Sequence, residues 1–163
     1  MQGWPRGMLE TALGLPTLNA GFGADGTSQT LWRLDTFDWS RQHPKYVLIL
    51  LGTNDLGVAA CAVIDGVLAV VEKVHQVFPQ AAIIVTSILP RGDNLMVRND
   101  EIADINQQLD LAAAKSGFRF FNVHDAFICG HQTPCPLYKP GNLHLTPDGY
   151  ELLSDSLRRF VGG

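Results

Sequence analysis

Long apolar runs, basic charge and cysteine are all scarce in this chain, and each shortage excludes a class of protein. The apolar run at 46–51 is, like every other in the sequence, far short of the ~20 residues that cross a bilayer as a helix, so no membrane span is expected. Lys and Arg number 12 against 16 Asp and Glu, a formal net charge of −4 with no run of like charges. Neutralising phosphates needs a basic face, so nucleic acid is not an expected partner. The three cysteines are too few for a disulfide-built mini-protein, and no second pair completes a zinc ligand set. The first ten residues, MQGWPRGMLE, show neither a basic region followed by an apolar stretch nor a small-residue cleavage site, so no secretory signal is visible.

What remains is ordinary globular material: 163 residues, 46% hydrophobic and 17% charged, enough for one core and one domain over 1–163. No repeat, low-complexity segment or linker interrupts it. Cys129 and Cys135 flank a short loop and can pair in an oxidising compartment, whereas Cys61 is expected to be a small buried hydrophobe.

Runs at 45–51, 81–87 and 118–123 read as strands, the first two so continuously apolar that both faces should be covered, as in a parallel sheet. A fourth short run at 16–20 is a further candidate. Helical periodicity lies between them, at 5–13, 28–34, 62–78, 100–116 and 147–160. Val63, Val67, Val70, Val71, Val74 and Phe78 form one stripe, with Glu72, Lys73 and Gln76 turned outward. Thr146-Pro147-Asp148 opens the last helix with a capping hydroxyl, a first-position proline and an acid at the positive dipole end. Tyr150, Leu153, Leu157 and Phe160 are its inward stripe. Alternating strands and helices predict an α/β fold with a mostly parallel sheet.

Ligands of such sheets gather at the carboxyl ends of the strands, and the polar clusters fall there. Gly52-Thr53-Asn54-Asp55 leaves a buried strand; the glycine permits a tight exit and the Asn54 amide offers N–H donors to an oxyanion. The plainer alternative is an Asx turn that caps the next helix. The Gly21–Gly26 turn offers backbone N–H groups at a helix start, suited to an anion, though such turns are commonly structural. His144 precedes a well-capped helix. Packed histidines are common in that setting, but an imidazole with a pKa near ~6.5 can also serve as a general base. His43, His75, His124 and His131 lack a comparable setting, and Arg91 reads as a solvated loop arginine. A flavin- or nucleotide-binding domain is a third option, disfavoured because the glycine turn lacks the G-x-G-x-x-G spacing and no phosphate-loop lysine follows.

The ordered set of segments across the chain resembles the SGNH (GDSL-type) hydrolase superfamily. It comprises Asn19-Ala20-Gly21-Phe22-Gly23-Ala24-Asp25, Leu31-Trp32-Arg33-Leu34, Gly52-Thr53-Asn54-Asp55, Phe78-Pro79-Gln80-Ala81, Ile88-Leu89-Pro90-Arg91-Gly92 and Leu143-His144-Leu145-Thr146. It is most similar to the platelet-activating-factor acetylhydrolase catalytic-subunit branch. The resemblance implies a three-layer α/β/α flavodoxin-like sandwich and hydrolysis of short acyl esters by a serine nucleophile, with no cofactor and a small ester as substrate; a homodimer is left open.

It also implies that Asn54 is the oxyanion asparagine and His144 the base, with Gly23, Asp25, Gly52 and Thr53 beside the substrate. The oxyanion glycine falls on Ala24, which keeps its N–H but is expected to lose the positive-φ conformations open to glycine. The acid that orients the imidazole falls on Gly141. The family's first strand and Gly-Asp-Ser turn would precede Met1, so the nucleophile matches no residue here and a central strand is missing or replaced. Ser28, Ser40, Ser87 and Ser116 are the alternatives, with Ser28 and Ser87 nearest the expected edge. Truncation, a strand donated by another copy, and local rearrangement are three explanations. A non-catalytic binding or interaction module of the same fold is the competing function.

Overall fold

The computed structural model describes residues 3–131 and 134–162. The chain groups into two compact units between which it passes repeatedly: Met1–Gly23, Leu89–Asn99 and Val123–Gly163 in one, Ala24–Ile88 and Asp100–Asn122 in the other.

The second unit contains the sheet. Strands β1 (Tyr46–Ile49), β2 (Ala82–Thr86) and β3 (Arg119–Phe121) lie parallel in the order β1-β2-β3, with Val47 opposite Ile83 and Val85 opposite Phe120. Among the described residues no strand pairs with the other edge of β1. The run at 16–20 forms no strand: its residues are exposed, so no burial compensates the entropy of extending them.

Three helices complete this unit: α2 (Thr27–Thr36), α3 (Ala60–Val77) and α4 (Asn99–Ser116). The valine stripe of α3 is buried as its spacing requires and joins Ile83, Val85, Ile102, Ile105 and Leu109 in one core cluster. Ile84 and Thr86 alternate to the opposite face of β2 and are buried as well, the double coverage expected of a parallel sheet. The chain leaving β2 is clasped by a buried amide, because Asn106 Oδ1 accepts from Ile88 N–H at 2.8 Å and its Nδ2 donates to the Ile88 carbonyl at 3.0 Å. Cys61 is exposed in the first turn of α3. It precedes the apolar stripe and so escapes the burial expected of it.

The first unit is built on α1 (Met8–Leu13) and α5 (Pro147–Gly162), with short 3₁₀ turns at Asp93–Leu95, His124–Phe127 and Cys129–His131. Trp4 ties the start of the chain to α5: its indole N–H donates to Ser154 Oγ at 3.0 Å, and its ring lies 5.3 Å from that of Tyr150. Leu153 and Leu157 are buried as expected, while Phe160, near the helix end, is only half-buried. Cys129 and Cys135 form a disulfide with their Cα atoms 6.0 Å apart, a separation suited to the bond. Among the described residues no helix is long and apolar enough to cross a membrane.

Candidate active site

Ala24, Asp25, Gly52, Thr53 and Asn54 belong to the sheet-bearing unit, Gly23 and His144 to the other. Each group is described within its own unit.

In the sheet-bearing unit, two loops are bonded to each other. Gly52 is buried with φ +103°, and a side chain there would run into Ile88. Only glycine satisfies both conditions, and the sharp exit it permits turns 53–55 toward residues 24–27. The Asn54 side-chain amide then donates to the Asp25 carbonyl at 2.9 Å. An amide carries two N–H donors, so this bond fixes the group and leaves one donor for a ligand. Thr53 is half-buried beside it.

Ala24 is exposed and has φ +63°. The expectation that alanine would abandon the left-handed region is therefore wrong. An L-residue can occupy it at roughly 1–2 kcal/mol, and here the neighbouring bonds hold it. The Asp25 carboxylate receives Arg33 Nε at 2.6 Å and Nη2 at 3.3 Å. This hydrogen bond raises the guanidinium pKa, against a smaller opposing effect of desolvation. With its carbonyl on Asn54 and its carboxylate on Arg33, Asp25 anchors the loop and has little left to offer a substrate.

The start of α2 is not an open anion site. Asp55 accepts from Thr27 N–H at 3.1 and 3.2 Å and from Thr27 Oγ1 at 3.2 Å, while Gly26 N–H donates to Gln29 Oε1 at 3.1 Å. A carboxylate of the protein thus occupies the positive dipole end. Asp55 does cap a helix, but α2 behind it in the chain rather than α3 ahead. The same bonds take the Gly26 and Thr27 N–H groups from any phosphate placed at this helix start.

In the other unit His144 is exposed on a short antiparallel bridge, Tyr138 opposite Leu145. Its carbonyl accepts from Lys139 N–H at 2.8 Å, and Thr146 N–H donates to the Leu137 carbonyl at 2.9 Å. Thr146 Oγ1 accepts from Gly149 N–H at 3.2 Å and donates to the Pro136 carbonyl at 2.7 Å, the capping role foreseen for it, with a second bond. Gly141 has φ +90° and open space where a side chain would begin. Arg91 is half-buried rather than fully solvated.

Of the serines, Ser87 is 0% exposed, and its N–H donates to the Phe121 carbonyl at 3.0 Å. That burial removes it as an attacking group. Ser28 is exposed in the first turn of α2, Ser40 is exposed, and Ser116 ends α4.

Residues 1–152 match the GDSL-like Lipase/Acylhydrolase family, and the chain belongs to it. Human platelet-activating factor acetylhydrolase IB subunit alpha1 is 32% identical over 137 residues, covering 83% of this chain and 59% of that protein. The rat alpha2 subunit is 30% identical over 148 residues, covering 90% and 65%. The chain therefore spans about six-tenths of the length of these relatives. A GDSL-like lipase from Bacteroides thetaiotaomicron superposes with a TM-score of 0.78 at 19% identity, covering 99% of this chain and 82% of that one. An acetylxylan esterase from Geobacillus stearothermophilus gives 0.75 at 17%, covering 96% and 78%. At these identities the structures establish the α/β fold alone.

Two site features escaped sequence reasoning: Asp55 as the cap of α2 and Asp25 as the partner of Arg33. Both join residues separated by a turn or a whole strand. The spacing of Asp25 and Arg33 across the start of α2 was the only available signal.

Proposed function

We propose that this protein is an ester hydrolase of SGNH type that acts on short acyl esters. His144 is the general base, and the Asn54 amide and Ala24 N–H are the oxyanion donors. The observation that carries the reading is the Asn54–Asp25 bond beside a left-handed Ala24, which ties both proposed donors to one pair of loops. Donors fixed before reaction stabilise a tetrahedral oxyanion without reorganising. The imidazole takes the proton of the attacking serine hydroxyl, a nucleophile that no residue of these 163 matches by the family pattern, and returns it to the leaving alkoxide. Short acyl groups are favoured because two of the similar proteins are named as an acetylhydrolase subunit and an acetylxylan esterase.

The test is hydrolysis of p-nitrophenyl acetate and of longer acyl homologues by the purified chain, by its His144→Ala variant, and after treatment with a serine-directed phosphonate. Turnover that falls with acyl length and is lost in both treated samples supports the reading. Turnover indifferent to His144→Ala overturns it.

A second reading, a binding module of the same fold, draws on Gly141 in the place of the orienting acid and on the burial of Ser87. Saturable binding of acyl esters without turnover favours it.

A further inference from the structure

We propose that the Cys129–Cys135 disulfide is a redox-sensitive clamp that positions His144. The inference deepens the hydrolase reading, and only its consequence for turnover rests on that reading.

The bond joins a 3₁₀ turn to the segment that carries the His144 bridge. Cys129, Gly130 and His131 have φ of +48°, +62° and +57°, so two residues other than glycine occupy the left-handed region in one short turn. Such a turn persists only where its surroundings over-determine it, and the disulfide is a covalent constraint placed on its first residue.

At the other end Cys135 is 3% exposed, and its carbonyl accepts from Tyr138 N–H at 3.1 Å. The segment beginning there bonds along 144–146 through Lys139 N–H to the His144 carbonyl, Thr146 N–H to the Leu137 carbonyl, and Thr146 Oγ1 to the Pro136 carbonyl. The main chain of His144 is thus suspended from a segment whose upstream end is the disulfide. Tyr138 packs edge-on against Phe127 at 6.2 Å, and both are buried. That contact survives reduction, so the opening should be local.

Cys129 is half-buried and is the sulfur open to attack. One thiolate of a dithiol bonds to Cys129 Sγ and expels Cys135 as a thiolate. The second thiol then displaces Cys129 from the mixed disulfide. The dithiol leaves as a cyclic disulfide, and its two protons end on the protein's thiols. The loosened segment frees the His144 backbone, while α3 and the sheet are untouched.

The test compares the full chain before and after dithiothreitol with a Cys129→Ser/Cys135→Ala variant, by hydrogen exchange resolved to single amides and by the imidazole NMR signals. Reduction is expected to speed exchange at Lys139 and Thr146 by about tenfold or more and to shift the His144 ring signals. Amides of α3 and the ring signals of His43 and His75 should stay put, and the variant should match the reduced protein and ignore dithiothreitol. Unchanged exchange on reduction overturns the clamp, and so does exchange that rises throughout the chain. Ester turnover is read in the same samples. Local opening with no turnover in any sample upholds the clamp and counts against the hydrolase, whereas redox-dependent turnover with unchanged exchange overturns the clamp.

Discussion

The Asn54 amide and the Asp25 carbonyl, 29 positions apart in the chain, are joined by a 2.9 Å hydrogen bond. The bond ties the loop that leaves β1 to the loop that leads into α2 and orients a side-chain donor beside the backbone of Ala24. If that donor stabilises an oxyanion, Asn54→Ala should lower kcat for p-nitrophenyl acetate by about 10²–10³, with KM nearly unchanged. Asn54→Asp, which replaces the donor with an acceptor, should be at least as damaging. Steady-state kinetics on the two variants checks this, and a change confined to KM would contradict it.

The same loop pair depends on Asp55. Its carboxylate takes the Thr27 N–H and hydroxyl at the start of α2, where it also faces the helix dipole. Asp55→Ala should destabilise the fold by about 1–2 kcal/mol. Asp55→Asn, which keeps an acceptor but loses the charge, should cost less. Urea unfolding midpoints with unchanged m-values would measure both. Equal stability of Asp55→Ala and the parent would show that the cap is replaced by water.

Ala24 is a left-handed residue without the freedom of glycine. Ala24→Gly relieves that strain but loosens the unfolded chain, for a net gain of about 0.5–1 kcal/mol. Ala24→Val, branched at Cβ, should lose more than Ala24→Gly gains. Thermal unfolding of the three proteins orders them directly, and a destabilised Ala24→Gly would refute the strain.

These bonds also mark where the sequence could be read and where it could not. The apolar runs at 45–51 and 81–87 disclose buried parallel strands, and the valine stripe of α3 discloses its inward face, because burial imposes a period that composition records. Thr146 is legible as a cap because its partner, Gly149, lies three residues on. Asp55 misleads for the opposite reason: an acid beside a turn suggests a local cap, and nothing nearby reveals that its donor is Thr27, on the far side of β1. Ala24 keeps a positive φ against the propensity of alanine, because the bonds of the residue beside it override that preference. Cys61 lies in the first turn of α3, ahead of the buried stripe that starts at Val63, and this position rather than its residue type leaves it in solvent.

Tyr138 provides a test that is independent of any catalytic role. Its hydroxyl is buried without a hydrogen-bond partner among the described residues, and burial raises its pKa well above the usual phenol value. Below the ordinary value near ~10 the phenol is neutral in both states and stability does not respond to pH. Above it the unfolded chain ionises first while the folded chain keeps its proton. Stability then falls with rising pH by about 1.4 kcal/mol per unit for such a group. Tyr150, also raised by burial, contributes in the same direction. Tyr138→Phe removes one of the two groups, so its stability should decline less steeply above about pH 10. At neutral pH the variant should lie within about 1 kcal/mol of the parent or above it, since the hydroxyl it deletes is unpaired. Urea midpoints at neutral and alkaline pH distinguish the outcomes. Identical alkaline slopes in Tyr138→Phe and the parent would mean that the phenol ionises as easily in the folded protein as in the unfolded chain.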